Sequence, residues 1–233
     1  MCQNYLDVIK RPHIYIDYES NKAGNIYLLG YQIEETFSQI IMDTRLQGLA
    51  KHHDFKITTP TEGTYKLLNY AKKTGSVIVA YSEAERNIFG ELSNFFDSSE
   101  FHGVPYLNIL KAAKKWISSF KSDEFNALPP FTLGANQYQA SRLRRALCSV
   151  MRLTSFHAPT DYAPGNTTSR LNAVANALLM RNHNYSNLTP TQKSKATKAL
   201  KHNKFDVEAL PILFNAIHSD SVECFSRSIK NCF

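Results

Sequence analysis

Asp17 and Glu19 stand two residues apart in the run His13-Ile14-Tyr15-Ile16-Asp17-Tyr18-Glu19. On a strand of period two they share one face, opposite Ile14, Ile16 and Tyr18. Two like charges side by side raise each other's pKa unless a cation intervenes, and a divalent metal is the usual reason to keep them together. The same spacing also fits a solvated strand face, and the chain holds two more such pairs, Glu83/Glu85 and Asp206/Glu208. Position says more than spacing. Glu85 precedes Ile88 and Leu92 by three and seven residues, so it shares their helix face. Asp206 precedes Leu210, Leu213 and Ile217 by four, seven and eleven. An acid at the head of an apolar stripe is costly unless it is paired, capped or metal-bound. The alternative for both is an acid favoured by the dipole of a helix start. His202, four residues before Asp206, joins its face if the helix runs through both.

The elements that must position these residues follow from pattern. Residues 13–19, 26–33 and 37–42 read as three strands with short connections, an antiparallel meander. A helix over 64–74 stops at Gly75. Residues 77–81 are a buried strand. Ser82 is placed to cap a helix through residue 96, with Ser82-x-x-Glu85 as a capping box. Residues 104–108 form a fifth strand and 110–120 a helix. The expectation is a single α/β domain over 1–233 with one mixed five-stranded sheet flanked by helices. Residues 125–132, with Pro129-Pro130, read as loop, and 138–153 and 168–181 as helices around a loop at 158–166. The stretch 121–188 is expected to be a helical insertion. Thr189-Pro190-Thr191-Gln192 opens a helix to about residue 201, and a second helix covers 205–217.

Of 233 residues, 43% are hydrophobic and 20% charged, the make-up of a folded globular chain. Mean hydropathy is −0.33, and no apolar run approaches the ~18 residues of a membrane span. The opening segment has no apolar stretch of the kind a signal peptide needs. Net charge is +7, which favours an anionic partner. Cys2, Cys148, Cys224 and Cys232 show no zinc-type spacing and read as reduced thiols of a cytoplasmic protein.

The segments IYIDYES, VAYSEAERNIF and HNKFDVEAL, in that order, resemble the three exonuclease motifs of the DEDD group in the ribonuclease-H-like superfamily. The likeness is to the exonuclease family found alone or beside RecB-type nuclease modules. The first motif is an acid-x-Glu pair, here Asp17 and Glu19. The second is Tyr-x-x-x-Glu after a buried strand, here Tyr81 and Glu85. The third has a Tyr-Asn-x-x-Asp form followed by Val-x-Ala-Leu, here His202-Asn203-Lys204-Phe205-Asp206 and Val207-Glu208-Ala209-Leu210, with His202 where this spacing usually carries Tyr. Leu110-Lys111 echoes a Leu-Lys segment between them. The resemblance spans 13–120 and 189–217, not 121–188.

It implies a ribonuclease-H-like fold and a 3′–5′ exonuclease acting on DNA or RNA. In such a centre four carboxylates hold two Mg²⁺ or Mn²⁺ ions about 3.5–4 Å apart. Asp17 would bridge both ions, with Glu19, Glu85 and Asp206 completing the shell. His202 would orient or deprotonate the attacking water. A structure-specific endonuclease and a non-catalytic nucleic-acid-binding module are the alternatives. Cations for phosphates occur at Lys111, Lys114 and Lys115, at Arg142, Arg144, Arg145 and Arg152, and at Lys193, Lys195, Lys198, Lys201 and Lys204. The last group leads directly into the third motif. Tyr18, Tyr81 and Phe205 border the acids and are candidates to stack a terminal base, with core packing the better account of Phe205. The expected nucleic-acid contacts are thus Tyr18, Tyr81, Lys111, Lys198 and Lys201.

Overall fold

Apolar residues alternate along residues 13–19 and recur at helical spacing along 205–217, and the chain folds accordingly. The computed structural model describes residues 5–21, 23–129, 146–157, 159 and 166–233. After a short helix α1 (Tyr5–Val8) come three antiparallel strands, β1 (His13–Ser20), β2 (Ile26–Ile33) and β3 (Thr36–Ile41). Helix α2 (Gln47–His53) and strand β4 (Lys56–Ile57) follow, then α3 (Pro60–Thr74), β5 (Val77–Ala80), α4 (Ala84–Leu92), β6 (Pro105–Asn108), α5 (Ile109–Phe120) and α6 (Ser122–Ala127). The remaining elements are α7 (Leu147–Val150), α8 (Asn166–Leu179), α9 (Pro190–Asp220) and β7 (Ile229–Asn231).

Among the described residues the strands form one seven-stranded sheet in the order β4-β3-β2-β1-β5-β6-β7. The α/β architecture with a mixed sheet between helices agrees with the sequence expectation. The sheet is larger than the five strands expected, because β4 and β7 are added at its two edges. Those strands have two and three residues, too few for an alternation to register. β1 is central, antiparallel to β2 and parallel to β5. Its even-numbered residues Ile14, Ile16 and Tyr18 enter a core with Leu67, Leu68 and Ala71 of α3 and Ile88, Phe89 and Leu92 of α4. On the other face lie α5, through Ala112, Ala113 and Trp116, and the second half of α9, through Leu210, Leu213, Phe214 and Ile217. The first half of α9 packs Ala196, Ala199 and Leu200 with Leu171, Val174 and Leu178 of α8 against Tyr27, Leu28 and Ile41.

Three expectations need correction. The two C-terminal helices are one, thirty-one residues long, running unbroken through His202-Asn203-Lys204 and carrying Pro211 inside it. Its start is as expected, with Thr189 and Gln192 forming a reciprocal capping box. Residues 125–127, expected as loop, belong to α6, whose first turn carries Asp123 and Glu124. The helix expected over 82–96 begins at Ala84 and ends at Leu92; Ser82 accepts a 3.1 Å hydrogen bond from the Ala84 N–H, but Glu83 is the cap residue. The helix expected over 138–153 falls partly outside the described residues; within its described part, 146–153, lie α7 and a short 3₁₀ turn at Met151–Leu153. Among the described residues no helix is long and apolar enough to cross a membrane.

Candidate functional site

β1 outruns its parallel neighbour. Its last pairing with β5 joins Ile16 to Ala80, so Asp17 and Glu19 project beyond the point where the chain leaves the sheet at Tyr81 and turns into α4. On the antiparallel side Asp17 pairs with Gly30 of β2, and Gly30 with Gln39 of β3. Side chains opposite one another in a sheet share a face. Asp17, Gly30 and Gln39 therefore form a row beneath α9.

From α9, fully buried Asn203 descends into the middle of that row. A Cβ on Gly30 would lie 2.3 Å from Asn203 Oδ1, so only glycine leaves room for the carboxamide. Asn203 Nδ2 donates to Asp17 Oδ2 at 2.7 Å and to the Asp17 carbonyl at 3.2 Å. Gln39 Nε2 donates to Asn203 Oδ1 at 2.8 Å and to the Leu200 carbonyl at 3.0 Å.

One turn of helix joins His202 to Asp206. His202 is buried, Nε2 lies 3.5 Å from Asp206 Oδ2, and Nδ1 lies 2.7 Å from Thr167 Oγ1. Thr167 and Thr168, in the first turn of α8, also secure Glu19. The Thr168 hydroxyl donates to Glu19 Oε2 and the Ser20 carbonyl, each at 3.1 Å, and the Thr167 side chain hydrogen-bonds the same carboxylate.

The result is a convergence of acids. Asp17, Glu19 and Asp206 each offer an oxygen within 4.8 Å of the others. Glu85 stands outside that triplet, buried on α4, with Oε2 3.3 Å from the Ser82 hydroxyl and 3.5 Å from the Tyr106 hydroxyl, which itself donates to the Ser82 carbonyl. Burial pushes all four carboxyls up, and they push one another. Burial outweighs the hydrogen bonds from Asn203 and Glu19 to bring Asp17 to about 6. Burial and then the Asp17 charge raise Glu85 to about 8. Glu19 is raised by burial, Asp17 and Asp206, and Asp206 by burial, Asp17 and Glu85. The donor set is hard oxygen, carboxylate-only and short of positive charge, which fits Mg²⁺ or Mn²⁺. The contrast is Glu83, two residues from Glu85. Although burial acts to raise it, hydrogen bonds from Lys111, Asn108 and Lys230 hold it down at about 2.

The expected nucleic-acid contacts separate. Tyr18 does not belong with them. It points to the opposite face from its neighbours in sequence, is 7% exposed, and shares a 2.8 Å hydrogen bond with Thr64. The pleat that brings Asp17 and Glu19 together sends Tyr18 away. Tyr81 stays beside the acids, half-buried, its phenol raised by burial and by the nearby Cys148 and Asp206. Lys111 is 2.9 Å from Glu83, in a group with Arg86 and Lys230. Lys198 and Lys201 are exposed on α9, within the turn before His202. Phe205 is core, stacked on Phe156 at 5.0 Å. Lys115 donates to the Glu223 carbonyl, and Arg152 to that of Pro129. Arg142, Arg144, Arg145 and Cys2 lie outside the described residues; Cys148, Cys224 and Cys232 are buried thiols.

Sequence reading passed over Gly30, Gln39, Thr167 and Thr168, and quoted Asn203 without giving it a role. The available signal was Gly30, a lone glycine inside the apolar strand IYLLGYQI, where close approach of another group is the usual reason. No family model matches the chain, and neither curated proteins nor solved structures provide a match.

Proposed function

We propose that this protein is a metal-dependent 3′–5′ exonuclease of ribonuclease-H-like fold, hydrolysing phosphodiester bonds of DNA or RNA. The observation that carries the reading is the meeting of Asp17, Glu19 and Asp206 within 4.8 Å, from segments nearly two hundred residues apart, with buried Glu85 close enough to feel Asp17. Such a concentration of carboxylates, with Glu19 and Glu85 buried and Asp17 and Asp206 half-buried, is costly without a cation. The antiparallel meander followed by parallel βα units supports the fold reading.

Asp17, Glu19 and Asp206 would hold the metal, with Glu85 completing the set. Two bound Mg²⁺ or Mn²⁺ ions would supply charge neutralisation at the phosphate, an acidified water and stabilisation of the leaving oxygen. The chain's own part is orientation. Thr167 and Thr168 hold Glu19, and Thr167 anchors Nδ1 of His202 so that Nε2 faces Asp206. From there His202 can hold a proton against that carboxylate at the edge of the reacting centre. Exposed Lys198 and Lys201 offer phosphate contacts on the approach along α9.

Cleavage of 5′-labelled single-stranded DNA and RNA in Mn²⁺, in EDTA, and by Asp17→Asn tests this. The expected result is a ladder shortening from the 3′ end, absent in EDTA and reduced at least about 10³-fold by the substitution. Cutting of closed circles would replace the exonuclease with an endonuclease. Binding of strands with no cleavage in any metal would replace both with a binding module.

A further inference from the structure

Asp17, Gly30 and Gln39 lie in one row across three strands, and Asn203 bridges the two ends of that row through the gap left by glycine. The direction of each hydrogen bond in the bridge is fixed by the backbone. A carbonyl oxygen can only accept. Gln39 touches the Leu200 carbonyl at 3.0 Å, so its nitrogen must face that way. The same nitrogen reaches Asn203 at 2.8 Å, so the Asn203 atom there must be its oxygen. That turns Asn203 Nδ2 toward β1, where the Asp17 carbonyl, again only an acceptor, lies 3.2 Å away. Nδ2 therefore meets Asp17 Oδ2 at 2.7 Å as a donor. Both ends of the chain of amides are anchored on main-chain carbonyls, and neither amide can flip without losing one of them.

We infer that Asn203 and Gln39 are positioning residues for Asp17, a two-amide relay that fixes one carboxylate oxygen as an acceptor and sets the direction in which the carboxylate meets a divalent cation. The inference rests on the metal-dependent reading above. Gln39 touches none of the four acids in this arrangement; it acts through Asn203. Partners of this kind, one step behind a ligand, change metal affinity by about 10- to 100-fold when removed.

The informative variant is Gln39→Glu. Residue 39 is half-buried, so the near-isosteric change is tolerated sterically. A carboxylate there cannot donate to Asn203. It would draw Nδ2 toward itself and turn Oδ1 against Asp17. Coulomb attraction alone predicts the opposite sign, because an added negative charge near the site should strengthen cation binding. Mn²⁺ binding by titration calorimetry is measured for wild type, Gln39→Glu and the uncharged Gln39→Met, together with thermal unfolding and hydrogen exchange of the Asn203 side-chain amide by NMR. Expected are Mn²⁺ affinities about 10- to 100-fold weaker in both variants, near-wild-type unfolding midpoints in EDTA, and an Asn203 amide slow to exchange only in wild type. Equal or tighter Mn²⁺ binding by Gln39→Glu overturns the relay, as does rapid exchange of the wild-type Asn203 amide. A wild-type protein that binds no Mn²⁺ while Asn203 stays protected overturns the functional reading instead, and the exchange data then support the hydrogen-bonded relay by themselves.

Discussion

Glu85 concentrates the problem that single residues pose in this protein. It is 5% exposed, faces the Asp17 charge, and is raised to about 8 from an ordinary glutamate value of 4.5. The folded chain therefore keeps a proton that the unfolded chain releases, and Asp17 does the same between about 4 and 6. The contribution of these two groups to the stability of the metal-free protein is largest below these windows and falls as pH rises from about 4 to about 8, because there the folded state holds more protons on them. Glu85→Gln should remove the share of that decline owed to Glu85 and stabilise the metal-free protein by about 2–4 kcal/mol at pH 8, while Glu19 and Asp206, also raised, keep theirs. Calorimetric midpoints of wild type and Glu85→Gln in EDTA across this range check it; a difference between the two that stays constant from pH 6 to 8 would show that Glu85 titrates normally. On the metal-dependent reading the sign reverses for activity in Mn²⁺, since the neutral amide removes a carboxylate that would help to hold the ions.

Helix α9 shows most clearly how an element serves the site. Thirty-one residues carry the cap at Thr189, the lysines, His202, Asn203 and Asp206, and then the apolar stripe that docks on the sheet. Its start, the strand β1 and the buried strand β5 were legible because capping chemistry and alternation are local signals. Its continuity was not. His202-Asn203-Lys204 looks like a polar interruption, yet two of the three are buried, Asn203 meeting Asp17 of the sheet and His202 meeting Thr167 of α8 and Asp206 one turn on. Polar residues on the inner face of a helix marked a site there, not an end. Gln39 was unreadable for a related reason: on a half-exposed strand near the sheet edge, a glutamine looks like ordinary surface. The acids themselves were legible through order and spacing, whereas the groups that orient them are assigned by register, which a sequence does not print. If α9 acts as one unit, Thr189→Ala should loosen its first turns and cost about 1 kcal/mol. Denaturant unfolding measures that loss, and amide exchange should place it in residues 190–200, leaving Asn203 protected.

At the scale of the molecule, charge is distributed against its own centre. The chain carries +7 overall, while three carboxylates meet within 4.8 Å and a fourth, Glu85, lies near enough to feel Asp17. On the proposed function, an anionic strand would be drawn by the whole and repelled at the acids unless cations are present. Lys198→Glu with Lys201→Glu should weaken single-strand binding across sequences. If each lysine neutralises one phosphate, the salt dependence should fall by about 0.7 in slope per lysine. Fluorescence anisotropy at several salt concentrations, with EDTA present to prevent cleavage, measures both. An unchanged slope would place the strand elsewhere. The pairing of Asp17 with Asn203, 186 residues apart in the chain, has a consequence for synthesis. On the ribosome the amino-terminal meander emerges first, and its two acids wait, without partners, for α9. On the proposed reading, a nascent chain in which the segment around Asp206 has not yet cleared the exit tunnel holds half of a metal site and would have no means of cutting the message from which it is being read.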